Sequence, residues 1–223
     1  MKLLRFEDPR DLTRSVLSMA TITTRIGPLD NGRAMTIDEF LEAEEELGYR
    51  YELARGVLEV SEVPDDPHGQ VVSNLYKMAF QFDLAQPGRI LRVGGGNEFR
   101  LWLPGMVSGR NPDLAIVLRG STEDYRGRRI PVLVAEVVSE SSVDRDYRAK
   151  REEYLAYGIL EYWIIDLKLR KLTLLIRNGD VWVERPFVEG QPIPSLVLPG
   201  LTATVSDLWT SLDEYDSEDV IEE

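Results

Sequence analysis

Two apolar runs each carry one acid, and no other feature constrains the fold of this chain as much. In Pro131-Val132-Leu133-Val134-Ala135-Glu136-Val137-Val138 a single carboxylate stands in a segment that otherwise asks to be buried. An ionised side chain in such a strand is costly unless something pairs with it or binds to it. The same grammar appears in Asn111-Pro112-Asp113-Leu114-Ala115-Ile116-Val117-Leu118, where an aspartate opens a second apolar strand. Two strand-borne acids point to a metal site.

Composition narrows the chemistry. The 223 residues, 43% hydrophobic and 29% charged, are enough for one sizeable core. There is no cysteine and one histidine, His68. Disulfides, thiolate ligands, cysteine nucleophiles and histidine-cluster metal sites are therefore excluded together. What remains is carboxylates, lysine and hydroxyls.

The net charge of −13 argues against binding nucleic acid through bulk electrostatics, but the charge is unevenly placed. Seven acids and no base lie between Ser211 and Glu223, and without them the balance is −6. Six more acids lie between Asp38 and Glu46, whereas Arg110 to Arg151 holds nine bases against seven acids. The two acid-bearing strands thus sit in the least acidic stretch. No window reaches the roughly 18 apolar residues of a membrane span. The segment from Met1 to Ala20 is broken by Glu7, Asp8, Arg10, Asp11 and Arg14. A cytoplasmic protein is expected, with a flexible leader over 1–34, a folded domain over 35–208 and a disordered acidic tail over 209–223.

The pattern predicts an α/β fold with a mixed sheet flanked by helices. Thr36-Ile37-Asp38-Glu39 forms a capping box, and Gly48 supplies a stop for that short helix. Tyr49 to Leu53 and Val57 to Ser61 read as strands joined by a tight turn at Arg55-Gly56. His68 to Gln86 carries Val71, Val72, Leu75, Met78, Ala79 and Phe82 on one helical face. Gly94-Gly95-Gly96 reads as a turn, since it lacks the Lys-Ser/Thr that a phosphate loop needs, and Phe99, Leu101 and Leu103 alternate as a strand. Ser141 or Ser142 caps a further helix that ends before Gly158. Tyr162 to Asp166 is a buried strand, and Asn178-Gly179 joins a hairpin of Lys171–Arg177 and Val181–Arg185. The stretch from Pro186 to Pro199 reads as a surface crossing.

Hard cations such as Mg²⁺ favour carboxylate and carbonyl oxygens, and Asp113, Glu136 and the main-chain carbonyl of Val137 could supply them. The competing reading is a pair of unrelated acids satisfied by arginines. From Val143 to Tyr157, residues Tyr147, Lys150, Arg151, Tyr154 and Leu155 share one helical face. Lys150 could run along apolar surface, pair with Asp146 one turn earlier, or point back to the two acids.

These residues carry a family resemblance. Tyr51-Glu52-Leu53 with Gly56, Pro112-Asp113, Val134-Ala135-Glu136-Val137-Val138-Ser139, then Ser142, Asp146, Lys150 and Tyr154 come first in this pattern. Gly158, Glu161-Tyr162-Trp163 and Asp166 complete it. In order and spacing it resembles the bacterial Uma-two family of candidate restriction endonucleases, within the PD-(D/E)XK nuclease superfamily. The resemblance spans roughly 35–208. It implies a restriction-endonuclease-like core and metal-dependent hydrolysis of DNA phosphodiesters, with Asp113 and Glu136 holding Mg²⁺ or Mn²⁺. Glu52 resembles the acid that the superfamily carries early in the fold. The superfamily lysine would fall two residues after Glu136, where this chain has Val138, and Lys150 matches the place to which the family moves it. Superfamily relatives often dimerise, so a homodimer is a further expectation. The alternative is an inactive nuclease-fold module that binds nucleic acid or a protein partner.

The remaining candidates have plainer readings. His68 is expected to be an isolated or satisfied histidine. Ser139 and Ser142 lack a second histidine to activate a nucleophile, and Trp163 and Trp182 are expected in the core. Arg126, Arg128 and Arg129 form the best phosphate-contact cluster, with a solvated loop as the alternative.

Overall fold

The computed structural model describes residues 24–124, 126–139 and 142–214. The chain opens with β1 (Arg25–Ile26), α1 (Ile37–Glu42) and β2 (Glu44–Glu45), followed by the hairpin β3 (Tyr49–Ala54) and β4 (Val57–Glu62). The long helix α2 (Asp66–Ala85) leads to β5 (Ile90–Gly94), β6 (Leu101–Leu103) and β7 (Ser108–Arg110). Asp113 immediately precedes β8 (Leu114–Leu118), and Glu136 lies within β9 (Leu133–Val138). A π-helical turn, Arg145–Ala149, runs into α3 (Lys150–Tyr157), and β10 (Glu161–Asp166), β11 (Lys171–Asn178) and β12 (Val181–Val188) follow.

A six-stranded sheet has the order β12-β11-β10-β9-β8-β5, and a four-stranded sheet has the order β4-β3-β7-β6. In the larger sheet β9 and β10 are parallel while the other pairs are antiparallel. A parallel pair needs a crossover, which the π turn and α3 supply. Strand β9 is covered on both faces, which is why its sequence is apolar without interruption save for one acid. Leu133, Ala135 and Val137 pack with Val71, Leu75, Met78 and Phe82 of α2. Val134 and Val138 face the other way, towards Tyr154 of α3. By alternation Glu136 shares that α3 face.

The capping box at Thr36 forms as expected, with Thr36 N–H donating to Glu39 Oε2 at 2.7 Å and Glu39 N–H donating to Thr36 Oγ1 at 3.1 Å. The helix it starts stops at Glu42 and not near Gly48, because Glu44–Glu45 leave it to pair with β1. Arg55 and Gly56 both take positive φ, 50° and 80°, the turn that matches strand twist in a two-residue hairpin. Phe99 ends a 3₁₀ turn, so the predicted strand shrinks to Leu101–Leu103. Pro186 lies within β12, where it is tolerated because β12 is an edge strand. The surface crossing therefore begins only after Val188, and even there Ile193 and Leu198 are buried.

Parts of both terminal segments are packed against the domain. Within the leader expected over 1–34, Arg25–Ile26 form a strand, and Ile26 is fully buried with Met35, Phe40, Tyr51 and Trp102. At the other end Trp209 and Leu212, the first part of the tail expected over 209–223, belong to the main core. The expectations for 1–23, for Ser141 and for 215–223 lie outside the described residues. Ser142 does not cap the helix: its hydroxyl accepts from Ser139 N–H at 2.9 Å and closes the turn after β9. No described helix is long and apolar enough to cross a membrane.

The glycine triplet joins β5 to the 3₁₀ turn. A Cβ on Gly95 would lie 2.2 Å from the carbonyl oxygen of Asp113 and 2.9 Å from the Tyr76 hydroxyl. Backbone is thereby pressed against backbone beside the aspartate. Gly95→Ala is expected to cost about 1–3 kcal/mol through overpacking. Thermal melting should show it, and a variant melting with the wild type would refute the close approach.

Candidate active site

The four sequence-predicted acidic and basic residues converge in one cleft of about 780 Å³, whose walls include Arg50, Glu52, His68, Asp113, Glu136 and Lys150. Asp113 is tied to β9 by the Val137 N–H, which donates to Oδ2 at 2.8 Å. The carboxylate therefore arrives beside Glu136 through the β8–β9 pairing, and not through any local sequence signal. Arg50 Nη2 donates to Asp113 Oδ1 at 3.1 Å, and His68 Nε2 lies 3.3 Å from Oδ2. Burial opposes ionisation of Asp113, but the His68 hydrogen bond and the charges of Arg50, His68 and Lys150 outweigh it. They hold the group well below the usual carboxylate range.

Glu136 is 2% exposed. Tyr154 Oη donates to its Oε1 at 2.6 Å, and Lys150 Nζ stands 2.9 Å from Oε2. Burial raises its pKa; Lys150 opposes the rise while Asp113, Asp146 and Glu52 reinforce it, and the carboxyl is pushed up to about 8. One lysine does not offset so many carboxylates. Lys150 Nζ also contacts Asp146 Oδ1 at 3.2 Å and Glu52 Oε1 at 3.5 Å. Burial alone would lower its pKa, and these three acids reverse that and hold the ammonium charged.

Glu52 reaches the cleft from β3. Its Oε1 accepts from Asn111 N–H at 2.7 Å, and its Oε2 accepts from Arg110 Nη1 at 3.3 Å. Despite burial, Lys150, Arg110 and Arg145 lower it to about 2. Arg110 is fully buried and also grips Glu153 of α3 at 2.6 Å and Glu59 of β4 at 2.5 Å. The smaller sheet is thus bolted to the crossover helix by charge.

The π turn decides which side chains of the crossover enter the cleft. Lys150 N–H donates to the Arg145 carbonyl, closing a ring one residue wider than an α-turn. In an ordinary helix Arg145 and Lys150 would be rotated by about 140° from one another, at 3.6 residues per turn. The wider π turn narrows that separation. Arg145 lines the cleft, with its Nε 3.7 Å from Glu52 Oε2 and 3.9 Å from Asp146 Oδ1, buried and without a hydrogen bond. The buried face becomes Asp146, Lys150, Glu153 and Tyr154, so Tyr147 and Leu155 are only partly covered.

Of the two readings left open for His68 the satisfied one applies: it is buried against Asp113. Nothing in the spacing of His68 and Asp113 signals that contact. Arg50 was legible in principle, since it alternates with Glu52 on one face of β3. Arg145 was hidden by the α-helical assumption. Ser139 and Ser142 line the cleft but make a turn, and Trp163 is buried in the core as expected, with Trp182 packed at its margin. Among the described residues no three or more His, Asp or Glu side chains form a ready-made metal cage.

A mixed sheet with acids converging where its central strands meet, crossed by a helix that delivers a lysine, defines an α/β protein of nuclease-like fold. A crystal structure of "a putative nuclease belonging to DUF820" from Anabaena variabilis shares it. The TM-score is 0.64 at 20% sequence identity, over 80% of this chain and 99% of that chain. The Uma2 family, described as "Putative restriction endonuclease", matches residues 37–206, and the chain belongs to this family. No curated protein matches it.

The depressed pKa of Glu52 has a pH consequence. Its contribution to stability is present in full above the ordinary value of 4.5 and is lost as pH falls towards about 2. At neutral pH, Glu52→Gln is expected to lower stability by on the order of 3 kcal/mol. In urea denaturation the gap between variant and wild type should close across that acid window. A gap independent of pH would show that Glu52 gains nothing from its cationic neighbours.

Proposed function

We propose that the protein is a metal-dependent endonuclease of the PD-(D/E)XK type that hydrolyses phosphodiester bonds of DNA. The observation that carries this reading is the meeting of Asp113, Glu136, Glu52 and Lys150 in one cleft. The donor set suits Mg²⁺ or Mn²⁺: hard oxygens, on two carboxylates from adjacent strands. The raised pKa of Glu136 marks an excess of carboxylate over cation that a divalent ion would offset. Asp113 and Glu136 would hold the ion. Val137 presents its N–H to Asp113. In an extended strand the N–H and C=O of one residue face the same neighbour, so its carbonyl would serve as a third ligand. When bound, the metal supplies a water of lowered pKa and charge to offset that on the phosphate.

The chain's own groups divide the remaining work. Tyr154 fixes one oxygen of Glu136 and Lys150 the other, so the carboxylate presents one orientation. His68 and Arg50 do the same for Asp113. Lys150 brings an ammonium to Glu136 from the helix, which supports the relocated lysine while Val138 fills the apolar α3 face. Arg50 and Arg145 line the same cleft and offer guanidinium groups to the non-bridging oxygens of a phosphate. Glu52 steadies Lys150 and Arg145 from the opposite sheet.

Plasmid nicking at low salt over a titration of Mg²⁺ and Mn²⁺ tests the reading, low salt because backbone contacts weaken steeply with ionic strength. Asp113→Ala and Glu136→Ala should abolish nicking, and Lys150→Ala should lower the rate by roughly 10²–10³. Undiminished activity in both acid variants would sink the assignment. One observation favours a second reading, a binding module that keeps the fold without catalysis: Arg50, His68, Tyr154 and Lys150 already satisfy both acids. Calorimetry showing DNA bound but no divalent ion would select it.

A further inference from the structure

A second cavity, of about 500 Å³, opens between β5, the outer side of β6 and the loop that precedes β9. Arg92, Arg100, Arg128 and Arg129 line it together with Phe99 and Tyr157, and Glu98 is the one acid in its wall. In a chain of net charge −13 such a concentration of guanidinium groups runs against the average surface. We infer that this groove is a second contact surface for the nucleic-acid backbone, gripping phosphates away from the bond that is cut.

Spare hydrogen-bonding capacity supports the assignment. A guanidinium has five N–H donors. The Nε and Nη2 groups of Arg100 are committed, to Asn111 Oδ1 and Glu45 Oε1 at 2.8 Å each and to Tyr51 O and Asn97 Oδ1. Arg92 makes one hydrogen bond, to Glu98 O at 3.0 Å, and lies over the Phe99 ring at 4.2 Å, which fixes its plane. Arg129 donates to Ser121 O at 3.1 Å and stands 3.4 Å from Glu123. Arg128 Nε stands 3.4 Å from Asp124 Oδ2 and, like Nη2, is buried, so these two groups hold the side chain in place and do not face a ligand. A planar, fixed guanidinium with donors to spare, as in Arg92, fits phosphate oxygens better than it fits a diffuse anion.

The loop that carries two of these arginines is not loosely solvated. Asp124 Oδ1 accepts from Arg126 N–H and Arg128 N–H at 2.9 Å each, Ile130 N–H donates to Thr122 O at 2.8 Å, and Tyr157 Oη donates to Asp124 Oδ2. Binding there would pay little ordering entropy. The groove also has a defined relation to the cleft. Val117 in its wall pairs with Arg92 across β5 and β8, four residues along the chain from Asp113. At strand rise that is about 13 Å.

The inference rests on the nucleic-acid reading above, and binding without turnover separates the two. The measurement is anisotropy of a labelled duplex of about 20 base pairs, in EDTA, from about 50 to about 200 mM salt. Arg92→Gln, Arg128→Gln and Arg129→Gln should each reduce the slope of log K against log salt by about 1, and the triple variant should bind roughly 10²-fold more weakly at the lower salt. Lysine at the same three positions should keep the slope, which loss of folding would not. Unchanged affinity and slope in the triple variant, with the wild type binding, overturns the groove and leaves the cleft untouched. No binding by the wild type overturns the nucleic-acid reading itself. Displacement of the duplex by polyglutamate at equal charge concentration would reassign the groove to an acidic peptide.

Discussion

The ammonium of Lys150 is the interaction on which the rest of the structure turns. It sits 2% exposed among Glu136, Asp146 and Glu52, which arrive from a central strand, from the preceding helical turn and from the other sheet. Burying such charges costs several kcal/mol for each ion, so the cluster is tolerable only when all its members are present together. Removing the lysine would leave carboxylates without a counter-charge, a loss of about 3–5 kcal/mol by comparison with other broken buried pairs. The arrangement stabilises the fold poorly for what it costs and orients its groups well. That balance is the one expected where charge serves chemistry.

Arg110 does for the architecture what Lys150 does for the cleft. Neither sheet completes the site alone, since Glu136 belongs to the six-stranded sheet, Asp113 stands at the start of its β8, and Glu52 belongs to the smaller one. A fully buried guanidinium holding Glu52, Glu59 and Glu153 fixes the distance between them. Its fork geometry suits three carboxylates from three elements, where a lysine could offer only a point charge.

How much of this was legible in the sequence depended on whether the signal was local. Glu136 announced itself by standing in an apolar run, and Asp113 by opening the next one. Lys150 and Tyr154 shared a helical face that had to turn inward, and the hairpin at Arg55-Gly56 and the capping box at Thr36 follow from backbone chemistry that acts within four residues. The residues that escaped are those whose roles arise only from tertiary pairing. His68 meets Asp113 because α2 packs across the sheet, and Arg110 meets Glu153 because β7 lies beside β3 beneath α3. The short strands β5 and β7 escaped as well, since three to five residues give period-two alternation little room. At the ends of the domain, Ile26 and Trp209 are buried although charged neighbours masked them in the sequence.

The π turn before α3 carries one residue more than an ordinary helix would need to cover the same height. That surplus allows Arg145 and Lys150 to look into the same space from consecutive levels. The same stretch still keeps its apolar side chains on the sheet. A chain shorter by one residue here would have to choose between its arginine and its lysine. The irregularity is therefore a spacer, and it sets how many positive charges the crossover can deliver to one opening.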